Sequence, residues 1–246
     1  MATEKRSNAS RDTATNKTAT AEDNQVATSY DFSCDDAVTL IVGPEEKKMF
    51  VHGTYLTRDS DFFKAALKKE WIEGEIRAIK LPEEDSETMA HYMTFVYSNK
   101  LPFDGIEPKK KEDFSPRWPI LIDLYEYGER FLCRSIQNAV IKEMILLTRT
   151  KDGKGERWYP TSSNVDRAYR GTPAGSPIRR LLVDMHVTTG ANSWLSAEPN
   201  AQFLADLAKA FYEKMDHHKA FAEFRRKDLD IEKHLSKTLQ SNNPHI

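Results

Sequence analysis

The stretch Asp36-Ala-Val-Thr-Leu-Ile-Val42 decides the fold, together with the turn residues Gly43-Pro44 and the segment Phe50-Val-His52 that follows. Apolar or β-branched residues fill the first stretch after Ala37, which predicts a strand that is largely buried. The Gly-Pro pair supplies turn chemistry, and the chain can return as a second strand that ends at His52. The sequence therefore predicts a β-hairpin.

A short helix and a third strand are predicted after the hairpin. Ser60 is placed to cap the helix, with Asp61 favourable in its first turn. The apolar face predicted for that helix consists of Phe62, Phe63, Ala66 and Leu67. Gly74 is predicted to end the helical region. The alternation in Ile79-Lys-Leu81 predicts the third strand, which Pro82 closes.

Helical periodicity follows the third strand. A helix is predicted to start near Ser86, and its apolar residues recur at steps of three and four. These residues are Met89, Tyr92, Met93 and Val96. Leu101-Pro-Phe103 is predicted as a short edge strand, because Pro102 cannot donate to a central ladder. The Gly, Pro and Lys residues of 104–119 predict an exposed loop.

Further helices are predicted in the rest of the chain. The apolar face of the first consists of Leu121, Leu124, Tyr125, Gly128 and Phe131. The second is predicted to start at Ser135, and its face consists of Ile136, Ala139, Val140, Met144 and Leu147, interrupted by Glu143. Beyond the linker-like residues 151–155, Ser176 and Asn200 each cap a candidate helix. The stripe of the last one is Phe203, Leu204, Leu207, Phe211 and Met215. This order predicts an α+β domain followed by an all-α extension.

Composition leaves part of the 246-residue chain outside a core, since only 39% of its residues are hydrophobic and 30% are charged. Residues 1–30 and 236–246 are predicted to be disordered tails. The N-terminal segment lacks the apolar run of a signal peptide, and no run is long enough to cross a membrane, so an intracellular protein is expected. Cys34 and Cys133 form no CxxC pair and are predicted to be reduced thiols.

The charge pattern argues against nucleic-acid binding, because the formal net charge is -2. Three basic clusters occur, at Lys109-Lys-Lys111, Arg179-Arg180 and Arg225-Arg-Lys227. Each has acidic residues close by. All three are therefore predicted to be solvated surface.

These landmarks, with Tyr55-Leu56, Trp71-Ile-Glu73 and Phe95-Val-Tyr97 between them, resemble a BTB/POZ domain in their order and spacing. The resemblance assigns residues 31–147 to that domain, with 104–119 as a loop insertion, and leaves 148–235 as the helical extension. Tyr169, Thr172 and Ser176-Pro-Ile-Arg-Arg-Leu-Leu182 further resemble BTB proteins of filamentous fungi.

The resemblance implies structural roles for a set of motif residues. They are Asp36, His52, Leu56, Ser60, Phe63 and Tyr97. A ring nitrogen of His52 is expected to bond to backbone or to Asp36. Many members carry Lys or Arg directly after the histidine, whereas this chain has Gly53, which argues against a function that needs a charged pocket there. Dimers of the swapped type carry an extra strand and helix before the first strand, and the segment Ser29–Ser33 is too short for both. A face-to-face homodimer is the alternative.

Trp71 and Glu73 are the candidate partner-binding residues. In BTB proteins that recruit the cullin scaffold of a ubiquitin ligase, a hydrophobic residue, any residue and an acid occupy the loop after the helix with two phenylalanines. A bulky aromatic anchor beside a charge suits a binding hot spot. The alternative is that Trp71 belongs to the core.

Catalytic, cofactor and metal sites are not expected. The adjacent pair His217-His218 cannot easily chelate a metal together, since neighbours on a helix point about 100° apart. Ser60, Ser86 and Ser176 are predicted to be helix caps rather than nucleophiles. Neither a GxSxG elbow nor a phosphate-binding loop occurs. The chain is therefore not expected to be an enzyme.

Two functions follow from the resemblance. The first is a protein-interaction module that serves as a substrate adaptor between a cullin scaffold and a target protein. The alternative is a self-associating scaffold, or a transcription-linked assembly factor, without a ligase connection. Dimers that capture no cullin would favour the alternative.

Overall fold

The structure, a computed structural model, describes residues 36–68, 70–190, 195 and 198–216. Within these residues the strands β1 (Ala37–Val42), β2 (Lys47–His52) and β3 (Ala78–Leu81) form one sheet in the order β2-β1-β3. β1 pairs antiparallel with β2, and Leu40 lies opposite Met49. β3 joins the other edge of β1 in parallel. The predicted hairpin and third strand are confirmed.

The helices fall into three groups along the chain. Between β2 and β3 lie α1 (Gly53–Asp59), α2 (Asp61–Ala66) and α3 (Ile72–Ile76). After β3 come α4 (Ser86–Ser98), α5 (Lys111–Phe114), α6 (Arg117–Arg130) and α7 (Arg134–Arg149). The third group is α8 (Ser162–Gly171), α9 (Pro177–Thr189) and α10 (Ala201–Asp216). The prediction of an α+β domain followed by helices is confirmed.

The core contains the inner face of the sheet and buried side chains of the helices α4 and α6. Val38, Leu40 and Val42 are completely buried, because side chains two positions apart share one face of a strand. An aromatic cluster continues this core, and Phe131 stacks within 5.0 Å of Phe63 and 5.2 Å of Tyr92 between ring centroids. The same core includes buried residues of the third helical group.

The third group of helices packs directly on α6. The Tyr125 and Ser176 hydroxyls lie 3.0 Å apart, and the Ser176 hydroxyl also donates to Glu129 Oε1 at 2.8 Å. Arg167 of α8 pairs with Asp123 of α6 at 2.5 Å. The extension is therefore joined to α6 of the second group by direct polar contacts.

Three local predictions are wrong in whole or in part. Gly74 lies inside α3 and does not end the helical region. Leu101–Phe103 forms turns and no strand. Residues 104–107 are exposed as predicted, but the rest of the predicted loop contains α5 and the first turn of α6, which bury Phe114 and Trp118. The Pro and Lys content of this segment favours a loop, but burial of these two aromatic side chains stabilises helical structure there.

Two of the predicted caps are also corrected. Asp85, one residue before Ser86, caps α4 by accepting a hydrogen bond from the Thr88 backbone at 2.7 Å. Ser176 occupies the cap position of α9 but makes no capping bond, because its hydroxyl bonds to Tyr125 and Glu129. Ser60 and Asn200 cap their helices as predicted.

The basic pair Arg179-Arg180 is not uniformly solvated, because Arg179 is only 5% exposed. On α10 the stripe is partly buried: Phe203 is buried, whereas Leu204 and Phe211 are exposed. No helix in the described part of the chain has the length and apolar character needed to cross a membrane. Several predictions lie outside the described residues: both tails, Ser29–Ser33, Cys34, His217-His218 and Arg225-Arg-Lys227.

Candidate protein-binding surface

Trp71 lies at the start of α3 with its side chain directed to solvent. Its exposure is 60%, and the neighbouring Ile72 and Ile76 are 72% and 62% exposed. Three large apolar side chains within one short segment are costly to leave in water. The alternative that Trp71 belongs to the core is therefore wrong.

These side chains border an open groove of about 540 Å³, which we call the α3 groove. Its lining comes from α2, α3 and β3, and the residues are Phe62, Ala65, Ala66, Trp71, Ile72, Glu73, Ile76, Ala78, Ile79 and Lys80. Glu73 and Lys80 supply the charges, and both are exposed. The groove is thus apolar inside, with one acid and one base in its lining.

The close turn at Gly74 shapes the α3 groove. A Cβ atom at this position would lie 2.0 Å from the carbonyl oxygen of Lys68, so only glycine fits. The same carbonyl accepts a hydrogen bond from the Trp71 backbone at 3.0 Å, and the Trp71 carbonyl accepts one from Gly74. Arg77 then ends α3 in the left-handed region at a φ of 54°.

Arg77 reaches back to Asp36 at the start of β1. Its guanidinium donates to the Asp36 carboxylate at 2.6 Å and to the Asp36 backbone carbonyl at 2.7 Å. Burial works to raise the pKa of Asp36, but hydrogen bonds from Thr54 and Arg77 outweigh it and hold that pKa below its ordinary value. A Cβ atom at Gly53 would lie 2.9 Å from the Arg77 guanidinium, so Gly53 leaves room for this ion pair.

His52 and Tyr97 join the hairpin to α4. The Tyr97 hydroxyl lies 2.8 Å from His52 Nδ1 and accepts a hydrogen bond from the His52 backbone at 2.9 Å. The expected partner of the ring was the backbone or Asp36, whereas this contact involves a side chain of α4. The sequence around Tyr97 does not indicate that its hydroxyl would contact His52.

The remaining motif residues lie in the interior. Leu56 and Phe63 are buried, and the Ser60 hydroxyl accepts from the Phe63 backbone at 3.1 Å while it donates to the Phe131 carbonyl at 2.5 Å. These residues belong to the buried side of α1 and α2, and they do not line the α3 groove. Only Trp71 and Glu73 among the predicted site residues lie there.

Sequence reasoning missed several residues of this groove. Ile72, Ile76 and Phe62 also line it. The two isoleucines that flank Gly74 could have indicated this. No group of three or more His, Cys, Asp or Glu residues within the described ranges is arranged to hold a metal ion. The exposed apolar side chains of the α3 groove suit contact with an apolar partner surface.

Comparison with known proteins gives a family for the first part of the chain. Residues 27–142 match the family model of the BTB/POZ domain. No curated protein matches the chain. The match covers the hairpin, the α3 groove and helices α4 to α6, and it ends within α7. The chain therefore carries a BTB/POZ domain, which is a protein-protein interaction module.

Proposed function

We propose that this chain is a substrate adaptor that binds a cullin scaffold through the α3 groove and a target protein through a second surface. The observation that carries the proposal is the exposure of Trp71, Ile72 and Ile76 around that groove. BTB proteins that recruit a cullin carry a hydrophobic residue followed by any residue and then an acid. The segment Trp71-Ile-Glu73 matches this pattern.

The physics of a hot spot supports this assignment. Trp contributes a large apolar area with few rotatable bonds, and burial of that area in a partner stabilises the complex. Glu73 stands beside it in the same lining and can pair with a base of the partner, which sets orientation more than affinity. In a complex, the aliphatic neighbours Ile72 and Ile76 would exclude water around both residues.

The second surface is assigned to the extension, taken as residues 148–235 after a BTB domain of residues 31–147. Phe211 and Tyr212 of α10 are 43% and 65% exposed. An exposed aromatic pair on a helix is suited to binding another protein. This division gives each partner a separate face, and no catalytic step is required of the chain.

Replacing Trp71 and Glu73 together tests the cullin contact. The double variant Trp71→Ala, Glu73→Ala is expected to lose at least about tenfold in cullin co-purification, as expected when a hot spot is truncated. Tyr212→Ala is the matched control, because it removes an exposed aromatic residue outside the α3 groove. Equal recovery of cullin by the folded double variant and by the wild type would overturn the proposal.

One observation favours self-association as a second candidate. β2 is an edge strand of the described sheet, and Phe50 on it is 67% exposed. An edge strand with an exposed aromatic residue can pair with another copy. Light scattering of the wild type and of Phe50→Asp separates the candidates: a dimer that the variant abolishes, with no cullin captured, supports the scaffold.

A further inference from the structure

A second groove lies between the segment 103–109 and the C-terminal end of α7. Its volume is about 850 Å³, and we call it the α7 groove. The lining residues are Phe103, Asp104, Gly105, Ile106, Glu107, Pro108, Lys109, Arg117, Glu143, Leu146, Leu147 and Thr150. None of them lines the α3 groove. The segment that interrupts the family pattern thus builds a separate concave surface.

Apolar side chains form the rim of this groove. Ile106 is 59% exposed and Leu146 is 56% exposed. Phe103 packs partly into the core, and the guanidinium of Arg117 lies 4.8 Å from the centre of its ring. Large aliphatic side chains exposed on both sides of a groove are typical of a surface that receives an apolar side chain.

The groove also holds a nearly buried ion pair. The Arg117 side chain is 4% exposed and the Glu143 side chain is 16% exposed, and Arg117 Nη1 lies 3.7 Å from Glu143 Oε1. This separation is too long for a hydrogen bond. Burial raises the pKa of Glu143, and the nearby charge of Arg117 opposes that rise.

The remaining nitrogens of Arg117 are already satisfied. Nε donates to the Asp113 carbonyl at 3.1 Å, and Nη2 donates to the Ile106 carbonyl at 2.7 Å. Within the described part of the chain, Nη1 and the Glu143 carboxylate make no hydrogen bond. The groove therefore offers one donor and one acceptor side by side, each removed from most of its water.

The charges select the chemistry that fits this pair. Asp104, Glu107 and Glu143 oppose an anion, while Arg117 and Lys109 oppose a cation. A neutral group that accepts from Arg117 and donates to Glu143 meets neither repulsion. The primary carboxamide of Asn or Gln has both functions on one planar group.

We propose that the α7 groove binds a short segment of another protein that places a bulky apolar side chain between Ile106 and Leu146. A neighbouring Asn or Gln of that segment bonds to Arg117 and Glu143. This site is independent of the α3 groove and does not require the adaptor function.

Random peptides displayed on phage are the probe for this site, selected on the full chain. Enriched peptides are then measured by fluorescence polarisation against the wild type, Ile106→Asp and Leu146→Asp. We expect peptides that combine an apolar residue with Asn or Gln, and at least tenfold weaker binding by each variant. Both substituted side chains are more than half exposed, so melting curves should stay unchanged.

Two controls make the result specific. Trp71→Ala is expected to bind these peptides within twofold of the wild type, since Trp71 lies in the other groove. Exchange of the carboxamide residue for Leu is expected to weaken binding at least tenfold. The proposal is overturned if no peptide is enriched, if all bind Leu146→Asp like the wild type, or if the carboxamide exchange has no effect.

Discussion

Arg179 shows how far neighbouring residues can differ in environment. It lies next to Arg180 in α9, yet it is only 5% exposed and its guanidinium sits 4.5 Å from the centre of the Tyr169 ring. Adjacent residues on a helix point about 100° apart, so one arginine can face the core while the next faces water. The rule that basic runs are solvated therefore fails for half of this pair.

The contacts of Arg179 join three helices. Its Nη2 donates to the backbone carbonyl of Tyr169 at 2.6 Å and also bonds to the carbonyl of Thr172, after α8. Its Nη1 donates to Gln202 of α10 at 2.8 Å. A buried cation that is this well hydrogen-bonded organises the extension.

Arg179→Met is expected to lower the free energy of unfolding by about 2–4 kcal/mol, because buried acceptors lose their donor. Arg180→Met is the matched control and should change it by less than about 0.5 kcal/mol, since its partner is an exposed backbone carbonyl. Urea unfolding measures both. Similar midpoints for the two variants would contradict the assigned role of Arg179.

At the scale of elements, the predictable ones are those with long, regular apolar patterns. The hairpin, α4, α6 and α7 follow from alternation and from steps of three and four. The helices α1, α3 and α5 were missed because they are short and their formation depends on contacts made elsewhere. α8 was missed because its buried face is only Val165, Ala168 and Tyr169 among polar residues. The local sequence pattern predicts a helix poorly where tertiary packing decides whether that helix forms.

The contact between α6 and α8 holds an unusual carboxyl group. Glu126 packs against the backbone of Gly171, where a Cβ atom would lie 1.9 Å from its carboxyl carbon. Its Oε1 is buried and has no hydrogen-bond partner within the described residues. Burial, with help from the charges of Asp123 and Glu84, raises the pKa of Glu126 to about 7, against the opposing effect of Arg130 and Arg167.

Stability is expected to fall as pH rises from about 4.5 to 7, because Glu126 is ionised more readily in the unfolded chain than in the folded one. The contribution of Glu126 to this loss is of the order of 1–3 kcal/mol. Glu126→Gln keeps the shape of the neutral acid and should remove that part of the pH dependence. Denaturant unfolding at several pH values measures the difference.

Glu84, Asp123 and Glu143 also have raised pKa values because of burial, so some slope should remain in Glu126→Gln. The quantity that tests the prediction is therefore the difference between variant and wild type. At pH 8 the variant should be the more stable protein, and at pH 4 the two should converge. A difference that does not vary with pH would contradict the raised pKa.

On the scale of the whole molecule, the extension and the BTB domain share one core. Val165, Ile178 and Phe203 belong to the same buried cluster as the sheet residues. The polar contacts of Ser176 with Tyr125 and Glu129 close this junction. Removal of the extension would expose apolar surface on α6 and α7.

A chain that ends at Thr150 is therefore expected to melt at a lower temperature than the full chain, or to aggregate, because each exposed Å² of apolar surface costs about 25 cal/mol. Scanning calorimetry of the two chains measures this. An unchanged melting temperature for the shorter chain would show that the BTB domain is stable alone. In that case the extension would be a separate folding unit.

The predicted site shows the same division between local pattern and tertiary packing. The spacing of Trp71 and Glu73 identified the segment, because both residues belong to one short run of sequence. The α7 groove was not predicted, since its walls come from two segments separated by α5 and α6. Arg117 and Glu143 are 26 positions apart in the printed sequence, and only the packing of α6 on α7 brings them together.

Gly53, the residue after His52, limits which substitutions this position can accept. A Cβ atom at position 53 would lie 2.9 Å from the Arg77 guanidinium and 3.0 Å from the Asp36 carboxylate, so any side chain there would press against this ion pair. Many BTB domains carry a basic residue directly after the histidine, whereas here Arg77, at the end of α3, places a positive charge beside Asp36. Because the guanidinium is the far end of a flexible side chain, a lysine at position 53 would require Arg77 to move from its present place beside Asp36.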